Sequence, residues 1–224
     1  MKPLNSQNNF VYLFISLILF LFTAAVVAEF SSLFSQEAFS LIILLMMVAS
    51  FKSLQTRVAW KRTIYVLVPL FIIFSTLDTV FHEKYYMLLV LSTLLLFFIG
   101  SFSMAFRQVL FVGDIDGNKI IGSLTLYILL GLIWAVIYML IIILDPTAFS
   151  GLEVTNWKEG FSRISYYSFV TLTTLGYGDI LPANHIAEFF ISMEAIFGVF
   201  YIAIIVSSLI SLRISAIQQQ RRDR

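Results

Sequence analysis

The residues best suited to chemistry in this chain are backbone groups in one nine-residue stretch, Thr171-Leu172-Thr173-Thr174-Leu175-Gly176-Tyr177-Gly178-Asp179. Gly176 and Gly178 alternate with larger residues, and glycine enters φ > 0 without steric cost. A backbone free to do so can aim its carbonyl oxygens at one axis. There they replace the water around a dehydrated cation without presenting a fixed charge, so the ion can bind and still leave. Other chemistries lack their residues. There is no Cys, and His82 and His185 are the only histidines, so a thiolate site or a multi-His metal centre within one chain is excluded. No His, Cys or Ser constellation for catalysis is visible, and no enzyme is expected.

What positions that stretch is a membrane domain. The 224 residues are 60% hydrophobic and 12% charged, too apolar for a soluble domain of this size. Six apolar runs are legible: Phe10 to Ala28, Leu41 to Phe51, Thr63 to Phe81, Tyr85 to Phe106, Ile120 to Leu144 and Ala187 to Leu212. A bilayer core needs roughly 20 residues of helix, so the second run, with its short apolar centre, is the weakest spanning segment. The first run is longer than the core of a cleaved signal and reads as a retained span. Between the fifth and sixth runs, residues 145–184 are too polar to span, and the nine-residue stretch lies there. Of the 14 Lys and Arg, all but Lys84, Lys158 and Arg163 fall in segments that six spans would place inside. Positive charge marks the cytoplasmic side, so both termini are expected there.

Thr-x-Gly-Tyr-Gly-Asp between two spanning helices resembles the selectivity filter of the potassium-channel pore family, and residues 119–214 resemble its helix, pore-loop, helix unit. The chain is similar to a prokaryotic, six-helix member. The resemblance implies an all-α membrane fold of about six transmembrane helices, with a re-entrant pore loop between helices five and six. It implies potassium coordinated by the carbonyls of Thr174, Leu175, Gly176 and Tyr177, with Gly178 completing the filter and Asp179 at the outer mouth. One chain offers one loop, and a closed ring needs four, so a homotetramer around one central pore follows. A pore helix leads into the filter from Trp157, with Tyr166, Tyr167, Thr171 and Thr173 as its supports. Its C-terminus, the negative end of its dipole, would face the ion path. Leu175 and Tyr177 would turn their side chains away from the axis, against that helix. Two departures stand out: Leu175 replaces the family's more frequent Val or Ile, and Val170 occupies a position where some members carry an acid that pairs with the filter Asp.

In the sixth run, Gly198 has the spacing of the family's inner-helix hinge; a small residue for close helix packing is the other reading. Helical spacing then lines a cavity and gate with Val199, Ile202, Val206, Ile210 and Ile214. Glu194 is a charge inside a membrane run and a modulatory candidate by type. A hydrogen bond to pore-helix hydroxyls such as Ser168 or Thr171 explains it more simply. A voltage sensor needs Arg or Lys at every third position of the fourth helix. That run has Lys84 before it and Arg107 at its end, with none between, so weak voltage dependence is expected. Asp78 is read as part of a local interfacial pair with His82 or Lys84.

These readings divide the chain into a four-helix N-terminal region (1–112), a pore domain (113–214) and a short cytoplasmic tail (215–224). The expected protein conducts potassium passively across a plasma (cell inner) membrane. Its partners are copies of itself and lipid, with no nucleic acid, small-molecule substrate or organic cofactor. A non-selective cation channel of the same fold and a membrane transporter are the alternatives.

Overall fold

In hydrocarbon every backbone N–H and C=O must be satisfied within its own segment, so apolar runs of this length fold as helices. The computed structural model describes residues 9–30, 36–53, 58–111, 117–152, 154 and 157–207. Among these described residues seven α-helices follow one another: α1 (Asn9–Glu29), α2 (Gln36–Ser53), α3 (Val58–Phe81), α4 (Lys84–Phe111), α5 (Gly117–Leu144), α6 (Trp157–Leu172) and α7 (His185–Tyr201). A five-residue π-helical segment, Ile202–Val206, continues α7. An antiparallel ribbon joins β1 (Phe149–Ser150) to β2 (Leu181–Pro182), with Phe149 opposite Pro182 and Ser150 opposite Leu181.

Among the described residues, α1, α3, α4, α5 and α7 with its continuation are long and apolar enough to cross a membrane. In α2 the apolar part, Ala38–Ser50, is shorter. It rises about 20 Å against a hydrocarbon core of roughly 30 Å. It nevertheless runs antiparallel to α3, because Ser75 near the end of α3 donates to Ser40 near the start of α2 at 3.1 Å.

The helices alternate in direction. At one end of the bundle the Phe10 amide donates to Asn118 Oδ1 at 3.1 Å, joining the starts of α1 and α5. At the other, Lys84 Nζ donates to the Leu144 carbonyl at 3.3 Å, joining the start of α4 to the end of α5. A cation there also complements the negative end of the α5 dipole.

The core is organised around α6. Phe161 of α6, Phe20 of α1 and Phe39 of α2 form a buried aromatic triangle with ring centroids 5.5–5.9 Å apart. Such tilted and offset pairs add to the gain from burial alone. α6 is amphipathic in an unusual sense: its buried positions include Lys158, Ser165 and Ser168 as well as Phe161, Ile164 and Leu172. Each buried polar group needs a partner, and those partners define the site.

Candidate functional site

α6 positions the glycine-bearing stretch. It starts at Trp157, beside the end of α3, and ends at Leu172, whose carbonyl accepts from the Tyr127 hydroxyl of α5 at 3.1 Å. The same carbonyl lies against Gly198, where a Cβ would stand 2.2 Å from the oxygen. Gly198 is about 20 Å along α7 from its start at His185. The ribbon then fixes the return, because Leu181 pairs with Ser150 just beyond the end of α5. Residues 173–180 therefore climb back from well inside the bundle to the end at which α6 began.

The start of this climb closes α6. The Thr173 amide donates to the Phe169 carbonyl at 3.0 Å, Thr174 to Thr171 at 2.9 Å and Leu175 to Val170 at 2.9 Å. The carbonyls of Thr174, Leu175, Gly176 and Tyr177 are used differently: among the described residues, no hydrogen bond engages them. Thr174, Gly176 and Gly178 have φ of 60°, 56° and 78°. Left-handed residues at alternate positions give successive peptide groups a common orientation, instead of the alternating one of a β-strand. The two glycines take these angles freely; Thr174 takes its own at a cost of about 1–2 kcal/mol. The sequence pointed to φ > 0 only at the glycines, and nothing in the residue type of Thr174 signals it.

The flanking side chains brace the stretch. Tyr177 stacks on Tyr166 of α6, with centroids 6.4 Å apart and planes 11° from parallel. The Tyr166 hydroxyl lies near the Asp179 carboxylate. Val170 occupies the position where an acid would stand. Tyr167 is buried against Phe149 and Tyr138. Thr173 Oγ1 donates to the Phe169 carbonyl at 2.7 Å. Leu175 is exposed in the single chain.

Behind α6, Glu194 of α7 is completely buried. Its carboxyl group accepts from Ser168 Oγ at 2.5 Å and from the Tyr138 hydroxyl, so that α5, α6 and α7 meet at one group. Ser168 Oγ also lies 2.8 Å from the Gly131 carbonyl. Tyr138 and Tyr127 were missed as site residues. The available signal was two tyrosines eleven residues apart, three turns, in an otherwise aliphatic run.

At the end of the bundle where α6 begins, Asp145 Oδ1 accepts from the Thr147 amide at 3.0 Å and hydroxyl at 2.6 Å, while Oδ2 accepts from Asn184 Nδ2 at 2.8 Å. These bonds, led by the Thr147 hydroxyl, hold the Asp145 carboxyl below the usual range. Asn184 in turn caps α7, its Oδ1 accepting from the Ala187 amide at 2.8 Å. The ends of α5 and α7 are thus tied on either side of the climb.

One expectation changes. Asp78 pairs with neither His82 nor Lys84 side chains; Trp157 Nε1 donates to it at 3.0 Å and Lys158 Nζ stands 3.9 Å away, because α6 begins over the end of α3. Gly198 packs against α6, as the small-residue reading has it, and the π-helical segment that continues α7 begins four residues later, at Ile202–Val206. Val199 and Ile202 are exposed, as are Phe197 and Phe200 around the same turns. The side chain of Val206, and Ile210 and Ile214 altogether, lie outside the described residues.

The model of the ion channel family matches residues 124–213, somewhat under half the chain and spanning most of α5, α6, the climb and α7. A curated relative, the mouse protein named potassium channel, subfamily K, member 16, is 33% identical over 76 residues. That alignment takes in 31% of this chain and 25% of the relative, so the chain spans about a quarter of the length of the curated protein it matches. No solved structure matches the chain. The matched stretch is thus similar to the ion channel family, and the five apolar helices are consistent with a multi-pass membrane protein.

Proposed function

We propose that this chain is the subunit of a homotetrameric, potassium-selective channel that conducts passively through a pore domain of residues 113–214. The carbonyls of Thr174, Leu175, Gly176 and Tyr177 replace the hydration shell of potassium, which is the transported substrate. Gly178 and Asp179 form the outer mouth. Residues 1–112 surround the pore domain, residues 215–224 form a cytoplasmic tail, and the protein is a prokaryotic inner-membrane protein with both termini in the cytoplasm. It needs no organic cofactor and performs no covalent chemistry.

One observation carries the reading: among the described residues, a row of carbonyls without protein partners, with left-handed residues at alternate positions, set at the depth of the apolar helices. At membrane depth, irregular backbone is tolerated only where it is buried in protein or lines a watery cavity. The climb is exposed in the single chain, so lipid cannot be its neighbour. Further copies enclosing a water-filled axis satisfy the requirement. The exposure of α7 agrees: only 17% of its span is buried, against 56% for α5, and Phe189, Phe197 and Phe200 face outward. Under this reading α6 is a pore helix, its climb a re-entrant loop, and Val199, Ile202, Val206, Ile210 and Ile214 line the cavity and gate below.

Rubidium flux into liposomes tests conduction, with Gly178→Ala as the control expected to abolish it. Reversal potentials in potassium–sodium gradients then decide selectivity. Equal permeability to the two ions would assign a non-selective cation channel, and absence of flux from the wild-type protein would overturn the channel reading.

A further inference from the structure

Asp78 and Lys158 are charged groups whose burial the carbonyl row does not require, yet both are buried. The Asp78 carboxylate, near the end of α3, takes the Trp157 indole hydrogen bond and faces Lys158. Buried charge pairs are costly to desolvate and are weak contributors to stability; what they can set is a unique arrangement. Here the arrangement is the seat of α6, because Trp157 and Lys158 are its first two residues. The rest of the seat is aromatic. Phe39 of α2 meets the Trp157 ring edge-on at 6.0 Å, and Phe20 of α1 lies 5.5 Å from Phe161, one turn further along α6. Three N-terminal helices therefore hold one end of α6, and the other end carries the carbonyl row.

We propose that α1, α2 and α3 act as a fixed cradle for α6, and that Asp78, through Trp157 and Lys158, is a positioning residue for the carbonyls of residues 174–177. The N-terminal helices then have a task that needs no gating charge. A rigid α6 is a lever about 24 Å long. A small tilt at its seat displaces the far end by an ångström or more, which oxygens grouped around an ion cannot absorb. The functional consequence rests on the channel reading; the seat itself lies within one chain.

Single-channel recording of the full-length protein in planar bilayers tests this, since it reports only assembled channels. Asp78→Ala and Lys158→Met each remove one member of the buried pair, and each is expected to shorten mean open time about tenfold and to lower the potassium-to-sodium permeability ratio. The double variant removes the pair as a whole but, like Asp78→Ala, leaves Trp157 Nε1 without this acceptor, so it is expected within about threefold of Asp78→Ala rather than at the sum of the two losses. Asp78→Asn, which still accepts from Trp157, is the milder substitute should Asp78→Ala not assemble. Hydrogen exchange of the same proteins in nanodiscs reads the seat without conduction: amides of residues 157–165 should exchange faster, and those of α5 should not. Wild-type open times and permeability ratio in the single variants, additive losses in the double variant, or unchanged exchange in α6 would each overturn the proposal. A wild-type protein that never conducts would overturn the channel reading instead, and the exchange comparison then decides the cradle alone.

Discussion

Gly198 of α7 and Leu172 of α6 touch so closely that a Cβ on the glycine would lie 2.2 Å from the Leu172 carbonyl oxygen. The same oxygen receives the Tyr127 hydroxyl, so three helices converge on the last residue of α6. The small side at position 198 is thus explained by close approach, whatever bending the helix also does. Overpacking of this kind costs about 1–3 kcal/mol. Gly198→Ala is expected to lower the thermal midpoint of the assembled protein and to reduce conduction together. A residue needed only for bending would lose conduction at unchanged thermal stability, and that result in a paired melting and flux experiment would return the hinge role to Gly198.

Glu194 joins Ser168 and Tyr138 in one buried group. Ser168 has a single hydroxyl proton and two acceptors in reach, Glu194 Oε1 and the Gly131 carbonyl. An amide can donate into this group where a carboxylate cannot. Glu194→Gln is therefore expected to keep potassium selectivity, read from reversal potentials in bilayers. Glu194→Ala leaves the buried Tyr138 hydroxyl without its acceptor, at a cost of about 1–3 kcal/mol, while Ser168 keeps the Gly131 carbonyl. It should melt well below the Gln variant; equal melting of the two would show that the group does not hold α6.

Much of this was legible in the residues. The apolar runs located six of the seven helices described, with ends that differ by up to about five positions for the first five runs and with the end of the sixth run outside the described residues, because length and hydropathy place a span but not its caps. The glycine pair marked the climb, because φ > 0 is a property of residue type. What stayed hidden were choices among partners. The acid of Asp78 suits His82, Lys84 or Lys158 equally on paper, and only the packing of α6 over α3 selects Trp157 and Lys158. The approach of Tyr166 to Asp179 was hidden for the same reason, and the left-handed Thr174 has no signal in its residue type. The two-residue ribbon is too short to carry any periodicity.

Asp145 ties the end of α5 to the Asn184 cap of α7, and its hydrogen bonds depress its folded pKa below the unfolded value of about 3.9. A depressed carboxyl contributes its stabilisation above the unfolded pKa and loses it as pH falls through the folded pKa. The outer bracket should accordingly be intact from neutral pH down to about 4 and should loosen below that. Asp145→Asn removes the titration while keeping an acceptor at Oδ1. Flux measured against external pH should fall less steeply in acid for the variant than for wild type; superimposable profiles would show that Asp145 is not the acid-sensitive group.

α4 runs from Lys84 to Phe111 with no basic residue between Lys84 and Arg107. A charge crossing the whole membrane field is worth about 2.3 kcal/mol per 100 mV, and steep voltage dependence needs three or four such charges in each subunit. Lys84 is held at the start of α4 by the Leu144 carbonyl, and Arg107 lies near the opposite end of α4, so both stand near the ends of the apolar span and none in its middle, where a sensor's charges move. Among the described residues of α1 to α4 the buried charge is Asp78; it faces Lys158 of α6, opposite in sign, so the two move little net charge together. The conductance of the purified protein should therefore vary with voltage over a broad range, with an equivalent gating charge below about one per subunit. A steep conductance–voltage curve, persisting after Asp78→Asn, would require a moving charge elsewhere and would remove the basis for treating α1 to α4 as static.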